Sequence, residues 1–311
     1  MNLIEMVKAA GVVGAGGAGF PTHVKLNTKV EYFIVNAAEC EPLIETDKYL
    51  CRTFADRIVK TIPVIAESLG ASRKVIALKG AYEKEIAALR EAIKNSGSDV
   101  EIFEMGYFYP AGDEQTLIQQ VTGRCVPERG LPSDVGCVVD NVGTVLNIAD
   151  ALEGKAVTEK YLSVVGEVTH TMQLHVPIGT SVLECVRAAK PTISEFALIM
   201  GGPMMGKRLT SQAEIEQAVV TKTTGNIMVL PKDHYLFKKT ALPMETVRKQ
   251  TKSACLQCKM CTDLCPRYLI GHQIRPNLMM RGLWREPSIT DNEEYLRMYG
   301  EAANCCSCGV C

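Results

Sequence analysis

The sequence predicts a parallel α/β domain, then a small α+β module, then a helical, cysteine-rich end. Three observations carry this. Strand-like and helix-like apolar patterns alternate over the first half of the chain, the rhythm changes near residue 156, and eight of the thirteen cysteines fall between Cys255 and Cys311. Strands that alternate with helices imply a sheet that is at least partly parallel, with helices on its faces. At roughly 150 residues per domain, 311 residues hold about two domains or three small ones. We set the expected boundaries at 1–155, 156–235 and 236–311.

Leu3 to Ala10 is a short helix-periodic stretch, and the glycine loop Gly14-Ala-Gly-Gly-Ala-Gly19 follows it. Tyr32–Asn36 reads as a strand, and Phe54, Ile58, Ile65 and Leu69 mark one face of a helix. Lys74–Leu78 is a strand, Tyr82 to Asn95 a helix with Ile86, Leu89 and Ile93 in register, and Val100–Phe103 a third strand. Cys137–Val139 is a further strand, and Thr144–Leu152 closes the domain as a helix. In the module, Tyr161–Gly166, Met172–Val176 and Phe196–Met200 are strands. Between the last two, Pro177-Ile-Gly-Thr opens a short helix with Ser181 and Glu184 as a capping box.

Composition excludes several functions. Lys plus Arg total 34 against 35 Asp plus Glu, a net charge of −1, which argues against nucleic-acid wrapping. No apolar run nears the ~20 residues of a spanning helix, and the N-terminus lacks a signal-peptide pattern. The chain is expected neither to span a membrane nor to be secreted.

Clustered cysteines in such a chain point to metal rather than to a disulfide framework. Cys255-x2-Cys258-x2-Cys261-x3-Cys265-Pro266 is the bacterial ferredoxin spacing for a [4Fe–4S] cluster. A zinc ribbon would present two separated Cys pairs, not three evenly stepped cysteines. The motif begins again at Cys305, Cys308 and Cys311. Under crossed ligation one cluster takes Cys255, Cys258 and Cys261, and the other takes Cys265, Cys305, Cys308 and Cys311. The first cluster's fourth ligand is then expected about four residues past Cys311, in a longer protein, unless that cluster has a labile site. Cys306 has the wrong offset and receives no role. The scattered Cys40, Cys51, Cys125, Cys137 and Cys185 read as small buried hydrophobes.

One-electron centres normally serve a site that handles electron pairs, which directs attention to the glycine loop. Gly14-x-Gly16-x-x-Gly19 matches the dinucleotide fingerprint, with Glu39 in the place of a ribose-binding acid. That fingerprint needs a strand before it and a long helix after it, and neither is present. A mononucleotide phosphate cradle fits better, with Lys25 as a point charge, and a tight loop without ligand is the alternative. Glu39 and Glu41, Asp113 and Glu114, and Asp140 and Asn141 follow strands. Singly they read as solvated residues or helix entries; together they stand where open α/β sheets bind ligands. The five histidines show no ligand spacing.

Four segments carry a resemblance over nearly the whole chain: Gly14 to Lys25, Val35 to Pro42, Tyr109 to Glu114 and Asn141 to Asn147. They look like the flavin-binding fold of the complex I FMN subunit and are closer still to the RnfC/PduS family. The module ending in Gly201-Gly-Pro-Met-Met-Gly206 resembles the SLBB (soluble-ligand-binding β-grasp) domain of those proteins, and the double ferredoxin motif completes the order. The implied fold is an α/β flavin-binding domain, a small SLBB β-grasp α+β domain and a helical ferredoxin-like iron–sulfur domain. The resemblance implies FMN held by Gly14, Gly16, Gly17, Lys25, Asn36, Tyr109, Gly112, Asn141 and Thr144. Glu39, Asp113 and Glu114 would line the flavin and nicotinamide pocket as the catalytic acids. Ala15 and Ala38 depart from the complex I pattern, as do Asp140 and Gly143, so the NADH contacts are expected to differ.

The implied activity is electron transfer from NADH through FMN and two [4Fe–4S] clusters to a one-electron acceptor. An N-terminus that reaches the glycine loop by residue 14 is similar to the PduS branch, the cobalamin reductases of bacterial microcompartments. That makes the expected acceptor a corrinoid or a corrinoid-handling enzyme, and the expected location cytoplasmic, inside a microcompartment. The alternative is an RnfC-like subunit that works with ferredoxin and membrane Rnf-type subunits. A third reading, a binding scaffold with a vestigial flavin pocket, has only Ala15 and Ala38 behind it.

Overall fold

The structure, a computed structural model, describes residues 2–285 and 292–311. The first sheet comprises β1 (Tyr32–Asn36), β2 (Arg73–Lys79), β3 (Glu101–Met105) and β4 (Cys137–Asn141), in the order β3-β2-β1-β4. All three pairings are parallel, with Tyr32 opposite Arg73 on one side and Cys137 on the other. Phe33, Ile34 and Val35 are all buried, so β1 is an unbroken apolar run rather than an alternating one. That is the signature of a strand covered on both faces. Ile58, Ile62, Ile65 and Leu69 of the helix Ala55–Leu69 pack against one face, with Leu89 and Ile148 from the neighbouring helices. Each such side chain contributes roughly 1.5–3 kcal/mol by leaving water. Leu117 and Ile118 of the helix Glu114–Thr122 cover the other face, against Ile34, Ala77 and Val139.

Two features here differ from the sequence reading. Phe54 does not sit within a helix; it joins Thr46–Thr53 to Ala55–Leu69, and its ring lies 5.5 Å from that of Tyr161. The helix Glu114–Thr122 was not foreseen, because its apolar spacing is short and it starts among acids. Asp113 caps it by accepting from the Thr116 N–H.

The second sheet contains β5 (Glu159–Gly166), β6 (Met172–Pro177), β7 (Phe196–Met200), β8 (Lys207–Leu209) and β9 (Asn226–Pro231), ordered β6-β5-β9-β7-β8. β5 and β9 are parallel and the other pairs antiparallel. The helix Val182–Ala188 lies across one face, with Val186 packed among Leu162, Leu198 and Val229. The expected capping box does not form. Ser181 stands at the N-cap without a side-chain bond, while the Glu184 carboxylate turns to Arg187. Gly166 ends β5 at φ 97°, where an added Cβ would fall 2.1 Å from the Val229 carbonyl oxygen. Gly166→Ala is therefore expected to destabilise the chain by ~3 kcal/mol or more, read as a drop in midpoint by thermal or urea unfolding.

Beyond the second sheet the chain is helical, with Met244–Ala254, Pro276–Arg285 and Asn292–Ala302 as its longer pieces. Among the described residues no helix is long and apolar enough to cross a membrane.

Candidate functional site

A cleft of about 1490 Å³ runs along the carboxyl ends of β1 and β4. Its wall includes Gly16 and Gly17 from the glycine loop, Glu39 beyond β1, Thr224 from the loop before β9, and Cys306 and Cys308 from the last cysteine motif. The volume exceeds the ~300–1,000 Å³ of an ordinary single-ligand pocket, which leaves room for a flavin and a second nucleotide.

The glycine loop is closed by Gly14 N–H to the Phe20 carbonyl and Gly19 N–H to that of Gly14. The Ala15 N–H donates 2.9 Å to Oγ1 of buried Thr144, which ties the loop to the start of the helix Val142–Leu152. A Cβ on Gly16 would come within 3.2 Å of Asn141, whereas Gly17, at φ 128°, faces open space. The loop is thus a bare backbone cradle beside a helix N-terminus, the arrangement that accepts a phosphate. Asn36 Nδ2 donates 2.9 Å to the Gly112 carbonyl, and its own oxygen accepts from the Ala38 N–H. Gly112 admits no side chain, since a Cβ would lie 2.6 Å from the Ala38 carbonyl.

Lys25 lies behind the loop. Its Nζ donates 2.7 Å to the Val139 carbonyl and pairs with Glu114 at 3.2 Å and Asp140 at 3.7 Å. Asp140 is buried, with Oδ2 unpartnered. Burial pushes its carboxyl up to about 6 against the pull of Lys25. Tyr109 is not part of the cleft wall, and its hydroxyl donates 2.8 Å to the Cys308 carbonyl.

Three titratable groups share the cleft. Burial, then the charge of Asp47, pushes Glu39 up to about 8. Asp47 is itself raised by burial, although it accepts 2.6 Å from Asn141 Nδ2 and feels Lys160. Burial lowers Lys160 to about 8, and its Nζ donates 3.1 Å to the Ala15 carbonyl. Motif reading missed Asp47 and Lys160: Asp47 sits on an unforeseen helix, and Lys160 comes from β5 of the other sheet. The solvated reading of single acids fails for Glu39 and for Asp113. The Asp113 carboxylate pairs with Arg267 at 2.8 Å, with side chains only 11% and 12% exposed. Glu41, grouped with Glu39 in the sequence, accepts instead from the Met204 and Met205 N–H groups at 3.0 and 2.8 Å, and so fixes Gly201–Gly206 to the first domain.

None of the thirteen cysteines is joined in a disulfide. Cys51, Cys137 and Cys185 are buried as expected; Cys125 is exposed and Cys40 half-buried in the cleft wall, because both lie in loops beyond the sheet core. The two cysteine motifs have the same backbone shape. Gln257 and Lys259 are left-handed in the first (φ 55° and 66°), and Ser307 and Gly309 in the second (φ 56° and 74°). Left-handed residues between ligands curl the chain so that N–H groups point inward, the shape that surrounds an anionic cluster. The Ser307 N–H already donates to Cys305 Sγ at 3.3 Å. Cys311 has Cys305, Cys261 and Cys265 as electrostatic neighbours, and Pro266 starts a helical turn immediately after Cys265. Among the described residues no three ligating side chains gather around one point as for a single ion. In a cubane each thiolate bonds a different iron, so its ligands stand wider apart.

Residues 7–150 match the Nuo51 FMN-binding domain, and residues 254–311 match the 4Fe-4S dicluster domain. The cobalamin reductases PduS of Citrobacter freundii and Salmonella typhimurium are 42% and 43% identical over 99% of this chain. The chain belongs to the RnfC/PduS family. It spans 66% of the length of those two relatives. A component of the Na(+)-translocating ferredoxin:NAD(+) oxidoreductase complex of Acetobacterium woodii, another RnfC/PduS relative, is 35% identical over 85% of this chain and 58% of its own length. Among solved structures, the NAD+-reducing [NiFe]-hydrogenase in the H2-reduced state has the same fold. Its TM-score is 0.67 at 21% identity, covering 97% of this chain and 59% of that one. An RnfC/PduS chain thus carries FMN and [4Fe–4S] centres, and the cradle and twin loops fit those groups.

Proposed function

We propose that this chain is the flavin- and iron–sulfur-bearing part of an NADH-dependent oxidoreductase that delivers single electrons to a corrinoid. The observation that carries it is the shared wall: Cys306 and Cys308 border the same cleft as Gly16 and Gly17. FMN would supply the exchange between an electron pair, delivered as one hydride, and single electrons, and each cluster would supply a one-electron store. Gly16 and Gly17 would offer backbone N–H groups to the flavin phosphate, with Gly14 closing the loop behind them through its bond to the Phe20 carbonyl, helped by the helix start at Asn141 and by Thr144. Asn36 and Gly112 fix the strand-end loops about the ring, with Tyr109 beside them. Lys25 acts from behind, offsetting Asp140 and Glu114. Glu39, Asp113 and Glu114 line the nicotinamide side, where Glu39 holds a proton near neutral pH. Cys255, Cys258 and Cys261 serve one cluster, and Cys265, Cys305, Cys308 and Cys311 the other.

The corrinoid is favoured because the named cobalamin reductases are 42–43% identical, against 35% for the Acetobacterium woodii relative. The location that goes with it is the cytoplasm, inside a bacterial microcompartment. Anaerobic reconstitution with FMN, iron and sulfide is expected to give NADH-driven reduction of cob(III)alamin or cob(II)alamin. Reduction of ferredoxin without corrinoid, together with co-purification of membrane subunits, would establish the second reading, an RnfC-like subunit.

A further inference from the structure

We propose that Tyr109 is a positioning residue for the iron–sulfur centre: its hydroxyl holds the Cys305–Cys311 loop in the wall of the cleft, so the cluster completed by that loop stands nearest the flavin. This rests on the flavin and iron–sulfur reading above. The Tyr109 hydroxyl donates 2.8 Å to the Cys308 carbonyl, joining a turn of the first domain to a ligand residue of the last. Pro110 and Gly112, on either side of the same turn, border the cleft.

Two other contacts dock residues near the ligands assigned to this cluster, one beside Cys265 and one within the Cys305–Cys311 loop. Arg267, two residues beyond Cys265, is held by Asp113 in an ion pair almost closed to water. Gly309 turns in at φ 74° against Met204, whose carbonyl oxygen would lie 3.5 Å from an added Cβ. Cys306 and Cys308 line the cleft, whereas Cys255, Cys258 and Cys261 do not. The two motifs share one backbone shape, so docking rather than loop geometry distinguishes them. A cluster's potential follows the hydrogen bonds and solvent around its ligands. Loss of the phenol hydroxyl therefore alters one centre and leaves the other as it was.

The test uses the anaerobically purified full-length protein with both clusters and Tyr109→Phe. The signal of the second-motif cluster is assigned by its loss in Cys308→Ser. In Tyr109→Phe that signal is expected to change line shape and reduction potential. A chelator should strip its iron about fivefold faster, the factor one net hydrogen bond is worth. The first-motif signal stays unmoved, and Arg267→Met shifts the same signal as Tyr109→Phe. A second-motif signal, potential and chelation rate identical to wild type would overturn the proposal. So would loss of flavin with the cluster signal unmoved, which would make Tyr109 a flavin-holding residue alone. Wild-type protein without iron or flavin would instead overturn the reading beneath it.

Discussion

Cys265→Ala is expected to erase the same paramagnetic signal as Cys308→Ala and to leave intact the one that Cys258→Ala erases. In sequence Cys265 belongs to the first motif, so a simple reading would group it with Cys258. Crossed ligation separates them: Pro266 starts a new helical turn directly after Cys265, while Cys311 has Cys305, Cys261 and Cys265 all as electrostatic neighbours, so the variants decide the assignment. Removing one of four thiolates opens a cubane to loss, so Cys265→Ala should cost about four irons per chain. Iron analysis and low-temperature spectra of the dithionite-reduced variants check this. If Cys265→Ala and Cys258→Ala erase one shared signal, the crossed assignment is wrong.

The second large effect lies at Glu39. Its carboxyl ordinarily ionises near 4.5 but in the folded chain does so at about 8. Between those values the folded state binds a proton that the unfolded state has released, so stability falls as pH rises through that window. Glu39→Gln removes this loss. The variant is expected to match wild type at pH 4.5 and to exceed it by ~1–3 kcal/mol at pH 9. That range is well below the full shift because the group faces a wet cleft and titrates together with Asp47. Lys160 also changes charge near pH 8, but equally in both proteins, so the difference isolates Glu39. Urea melts of the flavin-free chain at the two pH values are the measurement, and a gap that does not widen with pH would refute it. Asp47→Asn, which removes the neighbouring charge, should narrow the window.

Local pattern explains what the sequence made legible. β1 and β2 follow from dense β-branched runs, and Ala55–Leu69 from Ile58, Ile62, Ile65 and Leu69 on one stripe. The cysteine spacing is chemistry written along the chain, since cubane ligands come at fixed steps. What stayed hidden depends on distant segments. Lys160 reaches the Ala15 carbonyl from another sheet, and Glu41 finds its amides in Met204 and Met205, more than 160 positions away. The Ser181 box failed because a nearby arginine competes for Glu184 more strongly than a backbone N–H does. Of the second sheet, β5, β6 and β7 were readable from the sequence, but β8 and β9 were not located, nor was the order, because β9 inserts between β5 and β7.

The bond from Glu41 to the Met204 and Met205 amides has a thermodynamic consequence. It makes one side of the cleft from two sheets' layers, so a prosthetic group that touches both would be held more tightly when they are closed together. Such a group works as an adhesive: its occupancy adds to the cohesion of both layers by mass action. Reciprocity then requires that prying them apart releases it, so yellow colour escaping into the filtrate would mark the layers parting.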